Sequence, residues 1–160
     1  MIFRAELIME LQLNLRQIKE IDMAVGFSVN FYWYQVGNGE FLNSFFSTIA
    51  YNLENGKWGS RFPVIMNELY QGEVKFEKLE LAIKELSEIT VLLQKLSPQK
   101  VIWDMDDLSK QPPWGNNISK EITDLSNYFV TSEGEDLITL LRHALEKAKE
   151  LKTSLKIDTM

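Results

Sequence analysis

The chain has 160 residues, of which 45% are hydrophobic and 25% are charged, and its formal net charge is -6 at pH 7. This composition is typical of a globular domain with its own core, and it argues against disorder. The chain has no cysteine and one histidine, His143, which excludes disulfides, cysteine nucleophiles and two-histidine zinc sites. The net negative charge also argues against a surface that holds nucleic acid, which needs clustered Lys and Arg, but it is compatible with a basic protein partner. The competing interpretation is that mild acidity only keeps the domain soluble.

Residues 1–22 differ from the rest of the chain. Their apolar residues fall at helical spacing, which indicates an amphipathic helix: Leu7, Ile8, Leu11, Leu15 and Ile18. A second explanation is that Lys19-Glu20 is encoded as AAG-GAG, a ribosome-binding sequence just ahead of Met23, so that residues 1–22 are a translated leader. The chain shows no transmembrane-length apolar run and no signal-peptide pattern, so we expect a cytoplasmic protein that does not enter a membrane.

The first predicted strand spans residues 25–36, where large apolar residues alternate with small or polar ones. Phe27 and Phe31 share its apolar face and are expected in the core. Glycines at 37 and 39 end this strand.

Amphipathic patterns predict helices over residues 40–53 and 76–96, and a short helix that Pro63 opens through Tyr70. Asn38 is the expected N-cap of the first helix. Further core residues are expected on these and later elements: Phe45, Ile49, Ile83, Leu86, Ile102, Leu141 and Leu145.

The second half alternates short strands with helices. Strands are predicted over residues 100–105 and 128–131, with a short helix over 119–127 between them. The last helix is predicted over 134–151, where Ser132 and Glu135 form a capping box. The fold class is therefore α+β, a small β-sheet packed against several amphipathic helices in a single domain. We place that domain at residues 23–152 and expect the C-terminal tail, 153–160, to fray.

Three carboxylates cluster after the second predicted strand, at Asp104, Asp106 and Asp107. Neighbouring carboxylates can bind a divalent cation or share acid–base work, which makes a metal-dependent enzyme one alternative. The other interpretation is that these aspartates end a strand, cap a turn and stay solvated. No second acidic motif stands out to complete a metal site, so we expect no metal. Gly37 and Gly39 lack the third glycine of a dinucleotide fingerprint and no P-loop Lys-Ser/Thr pair follows, so we expect no cofactor.

Trp58 and Trp114 lie in predicted loops, outside the helical apolar stripes. Aromatic residues that a core does not need often anchor protein interfaces. Both rings can equally fold back as lids over the edge of the core. The two interpretations stay open, and we take both residues, with the three aspartates, as candidate partner-binding residues.

Several short segments, in this order and spacing, resemble the immunity protein 70 family: VGFSVNFYW at residues 25–33, the helix at 41–53 with Trp58-Gly59, VIWD at 101–104, PPWG at 112–115 and YFVT at 128–131. The resemblance covers residues 23–151. It implies a bacterial protein, encoded beside a secreted polymorphic toxin, that binds the cognate toxin in the cytoplasm and is not an enzyme. A nuclease is a common toxin in such systems. The resemblance carries over no catalytic residues, and a general protein-interaction domain is the remaining alternative.

Overall fold

The computed structural model describes residues 24–160, and both interpretations of residues 1–22 fall outside that range. The described fold opens with a β-hairpin of β1 (Val25–Val29) and β2 (Tyr32–Gly37). The turn consists of Asn30 and Phe31, and Asn30 has a φ of 51°, a left-handed conformation that asparagine tolerates. The prediction of one continuous strand over residues 25–36 is therefore wrong. Phe31 is fully exposed at the turn and does not belong to the core.

The hairpin belongs to a four-stranded antiparallel sheet in the order β2-β1-β4-β3. β3 is Glu73–Val74, and β4 is Leu155–Thr159, which lies between β1 and β3. The expectation that the C-terminal tail frays is wrong, because Leu155 is fully buried and both edges of β4 are paired. The sheet thus depends on residues beyond position 152.

Three α-helices complete the described architecture: α1 (Gly39–Leu53), α2 (Leu79–Leu93) and α3 (Leu137–Glu150). The predicted N-cap of α1 is confirmed, since Asn38 Oδ1 accepts a hydrogen bond of 2.8 Å from the Phe41 amide. The capping box predicted for α3 is wrong. Asp136 caps that helix instead, because its carboxylate accepts from the Thr139 amide at 2.9 Å.

The shorter elements depart further from the predictions. The helix opened by Pro63 is a π-helix over Val64–Leu69. One 3₁₀ turn, Phe76–Lys78, precedes α2, and another, Pro98–Lys100, follows it. Residues 119–127 form turns rather than a helix, and residues 101–105 follow an irregular path rather than a strand.

Residues 128–131 form a single bridge, between Val130 and Asp136, instead of the predicted strand. The amides of Thr131 and Leu137 complete this loop by donating to the carbonyls of Glu135 and Phe129, at 2.8 and 2.9 Å. The segment therefore closes locally onto the start of α3 and does not join the sheet.

The core lies between the sheet and the helices, and α3 packs on both the sheet and α2. Predicted core residues that are fully buried are Phe27, Phe45, Ile49, Leu86, Leu141 and Leu145. Ile83 and Ile102 are only partly buried. The predicted α+β class, a small sheet packed against amphipathic helices, is confirmed. Within residues 24–160, no helix is long and apolar enough to cross a membrane.

Candidate functional site

The segment that carries the acidic residues is fastened to α1 by hydroxyl side chains. Buried Ser44 donates a hydrogen bond of 2.8 Å to the Ile102 carbonyl, and Ser47 Oγ accepts one of 3.0 Å from the Met105 amide. Asn52 Nδ2 donates to the Lys100 carbonyl at 2.9 Å. Side chains on one face of α1 thus satisfy backbone groups of residues 100–105, as a neighbouring strand would do within a β-sheet. This anchoring fixes the position of the loop that follows.

Two of the three predicted aspartates, Asp104 and Asp107, stabilise turns in that loop through their side chains. Asp104 Oδ1 accepts a hydrogen bond of 2.9 Å from the Asp106 amide, and Asp104 Oδ2 lies 3.5 Å from Lys110 Nζ. Asp107 Oδ1 accepts from the Ser109 hydroxyl at 2.6 Å and from the Ser109 amide at 3.1 Å. These bonds hold the pKa of Asp107 below its ordinary value, so its carboxyl stays ionised.

Asp106 and Asp107 are exposed, whereas Asp104 is half-buried. In the part of the chain that the structure describes, no group of three His, Cys, Asp or Glu side chains is placed to hold a metal ion. The only histidine, His143, is exposed on α3, a different element from the acidic loop. The loop therefore presents exposed negative charges, Asp106 and Asp107, in turns that hydrogen bonds hold in place.

A small cleft of about 60 Å³ connects the acidic loop to α1. Its walls come from two segments: Glu40 and Asn43 on α1, and Trp103, Asp104, Asp106 and Lys110 on the loop. Three of these six side chains are acidic and one is basic. A cation on a partner therefore finds several carboxylates within reach.

Trp114 lies beside this loop and is partly a lid. Its ring packs edge-on against Trp103, with 5.4 Å between ring centroids, and its Nε1 donates a hydrogen bond of 2.8 Å to the Tyr128 hydroxyl. Tyr128 is buried, which raises the pKa of its phenol above the ordinary value. Trp114 nevertheless keeps 37% of its surface exposed. The lid interpretation thus holds for the side of Trp114 that packs. The other side faces solvent, and its role as an interface anchor stays a prediction.

Trp58 is packed more completely. Its Nε1 donates a hydrogen bond of 2.6 Å to the Met66 carbonyl, and its ring contacts Tyr70 at 4.7 Å and Phe46 at 6.4 Å between centroids. The Tyr70 hydroxyl donates to Asn43 Oδ1 at 3.3 Å. Contacts through Tyr70 and Asn43 therefore link Trp58 to the cleft beside the acidic loop.

Sequence reasoning missed Glu40, Asn43 and Tyr70 as members of this surface. Asn43 borders the apolar face of α1 and is half-buried, and a polar residue at the edge of that face was the available signal. Its neighbours at the cleft lie about sixty residues away in the chain, so spacing alone does not connect them.

Comparison with known proteins gives one assignment. Neither the curated proteins nor the solved structures contain a significant match to this chain. The family model described as immunity protein 70 matches residues 27–157, which is most of the chain. The resemblance seen in the sequence is confirmed, and this protein belongs to the immunity protein 70 family.

Proposed function

We propose that this protein binds and neutralises a cognate secreted bacterial toxin in the cytoplasm of the cell that produces it. Membership of an immunity protein family supports binding to a toxin. The observation that carries the proposal is the hydrogen-bonded acidic loop, in which Asp106 and Asp107 are exposed beside the partly exposed ring of Trp114. The protein acts by occupying the toxin, and it performs no chemical step itself.

The proposed interface combines the acidic loop with the two tryptophans. Asp104, Asp106 and Asp107 attract a basic partner and set the rate of encounter. Trp114 offers the apolar area that slows dissociation once water is excluded. Trp58 packs against Tyr70, whose hydroxyl bonds Asn43 at the edge of this surface. Trp58 therefore contributes mainly by holding the Tyr70 ring in place.

A basic nuclease is a toxin that suits this surface. Nuclease grooves bind phosphates, and a row of carboxylates can occupy the positions that substrate phosphates take. Because the Asp107 carboxyl stays ionised and is held by Ser109, its charge is already oriented before binding. Such preorganisation reduces the entropy lost on association.

The test begins with the gene neighbourhood, where we expect a toxin gene directly upstream, and then measures protection of cells from the toxin domain that this neighbouring gene encodes. Cells that express the toxin domain alone should stop growing, and co-expression of this full chain should restore growth. The purified proteins should also form a complex at equal stoichiometry in size-exclusion chromatography. If the folded protein neither rescues growth nor binds the toxin domain, the proposed function is wrong.

A further inference from the structure

A second, larger cavity opens beside the acidic cleft, between α1 and the inner face of the sheet. It has a volume of about 470 Å³. Its apolar walls are Leu42 and Phe46 from α1 and Val25 and Ile157 from the sheet, and Thr159 lies at its edge. A volume of this size lies within the range of roughly 300–1,000 Å³ that is typical of ligand pockets.

Asn43 lines both the apolar cavity and the acidic cleft. On one side it accepts a hydrogen bond from Tyr70, whose ring also lines the cavity. On the other side it faces the cleft that contains Asp104 and Asp106. The two depressions therefore form one continuous surface along α1, apolar at one end and negatively charged at the other.

We propose that the cavity receives an apolar side chain of the toxin, while Lys or Arg residues flanking that side chain lie against Asp104 and Asp106. This inference rests on the proposed function and specifies which segment of the toxin is recognised. An apolar anchor buried in a pocket beside charge-complementary contacts is the arrangement found at the centre of strong interfaces. A purely apolar ligand would leave the adjacent carboxylates unused, and a purely cationic one would leave the cavity unfilled.

The first experiment fills the cavity. Thr159 is exposed at the end of β4 and pairs with Val25, so its side chain shares the inner face of the sheet with the cavity wall. Thr159→Trp in the full chain should raise the dissociation constant for the neighbouring gene's toxin domain by about tenfold or more, because the added ring blocks one anchor contact. Lys156→Trp is the matched control, because it places the same ring on the opposite face of the same strand. It should leave the dissociation constant unchanged.

The second experiment tests the charge at the junction. Asn43→Lys removes the acceptor of the Tyr70 hydroxyl, whereas the carboxylate of Asn43→Glu can still accept that hydrogen bond. Asn43→Leu is therefore the structural control, because it removes the hydrogen bond without adding a charge. Asn43→Lys and Asn43→Glu place opposite charges between the cavity and the cleft. We expect Asn43→Lys to weaken toxin binding more than Asn43→Leu does, and Asn43→Glu to bind at least as well as the wild-type chain. Equal losses in Asn43→Lys and Asn43→Leu would contradict a role for charge at this junction.

The outcomes separate this inference from the proposed function. If the wild-type chain binds the toxin and Thr159→Trp binds equally well, the cavity is not the anchor site although the proposed function stands. The same conclusion follows if Thr159→Trp lowers only the melting temperature, which would mean that the chain's own residues fill the cavity. A change limited to self-association would assign the cavity to a second copy of the chain and would also overturn the inference. Failure of the wild-type chain to bind removes the proposed function itself.

Discussion

The hydroxyl of Thr48 hydrogen-bonds both backbone groups of Ile102. Thr48 Oγ1 accepts a bond of 3.0 Å from the Ile102 amide and lies 3.2 Å from the Ile102 carbonyl, to which it donates. The buried Thr48 side chain thus satisfies the amide and the carbonyl of Ile102, as a neighbouring strand would do within a sheet. This contact fixes the start of the loop that carries the acidic residues.

Replacing this hydroxyl by a methyl group should destabilise the fold. Thr48→Val keeps the side-chain volume but leaves the Ile102 amide without its acceptor, so we expect the free energy of unfolding to fall by about 1–3 kcal/mol in urea denaturation. Thr90→Val is the control, because within residues 24–160 the Thr90 hydroxyl donates to the Leu86 carbonyl of its own helix and to no other segment. It should change stability by less than about 0.5 kcal/mol. Equal losses in the two variants would contradict an anchoring role for Thr48.

Strand β4 should be essential to the fold. Leu155 is fully buried, so Leu155→Ala should lower the free energy of unfolding by roughly 2–5 kcal/mol. Lys156→Ala, on the exposed face of the same strand, should cost less than about 0.5 kcal/mol. Thermal melting of both variants provides the comparison, and a small effect of Leu155→Ala would contradict the core role of this residue.

Glu85 should make stability depend on pH. Its carboxylate accepts the Val64 and Ile65 amides at 3.3 and 2.9 Å, and burial raises the pKa of the carboxyl above its ordinary value of 4.5. A raised pKa means that the folded state binds this proton more tightly than the unfolded chain does. The stability that protonation provides is therefore lost as pH rises above about 4.5 through the folded pKa.

Glu85→Gln removes this titration and keeps one acceptor oxygen. Urea denaturation of both proteins across this pH range should show that the stability of the wild-type chain relative to the variant decreases as pH rises. A constant difference between the two proteins would contradict the direction of the pKa shift.

Charge reversal in the acidic loop should slow binding of the toxin. Asp106→Lys with Asp107→Lys should lower the association rate constant by about tenfold or more at low salt and flatten its salt dependence, because both carboxylates are exposed. Glu77→Lys with Glu146→Lys gives the same change in net charge on other elements and should have a smaller effect. Stopped-flow kinetics at several salt concentrations measures both, and equal effects would mean that only net charge matters.

Trp114 should contribute to both stability and residence time. Trp114→Ala removes the contact with Trp103 and the bond to Tyr128, so it should cost about 1–3 kcal/mol of stability and also speed toxin dissociation. Tyr128→Phe removes only the acceptor and leaves the exposed indole face in place. It should cost about 0.5–1.5 kcal/mol and leave the dissociation rate unchanged. If Tyr128→Phe speeds dissociation equally, Trp114 acts through the fold alone.

Local sequence patterns predicted the helices and caps whose stabilising contacts are close in sequence. The helix predicted over residues 40–53 is α1, and the cap by Asn38 is as predicted, since both depend on side chains within one or two turns. The same holds for the short helix after Pro63, although its π-helical hydrogen bonding was not foreseen. The fold class followed from the number and order of these elements.

Tertiary contacts decided the remaining elements. Phe31 continues the alternating pattern of β1 but lies in the turn, because the chain reverses at Asn30 to pair β1 with β2. Residues 101–105 have the composition of a strand, yet their backbone is satisfied by hydroxyls of α1. Leu155 belongs to a strand because it pairs with Val74 of β3, while the residues that follow it in β4 pair with β1, far earlier in the chain.

For the candidate site, the sequence by itself determined the net negative charge, the cluster of Asp104, Asp106 and Asp107, and the family resemblance. These depend only on composition and on residues that are neighbours in the chain. Tertiary structure decided that Asn43 joins an acidic cleft to an apolar cavity and that Trp58 is held by packing. Those relationships arise because α1, the loop after Lys100 and the end of β4 pack together in the folded chain. These segments are far apart in the sequence, so residue spacing within any one of them does not predict the contact.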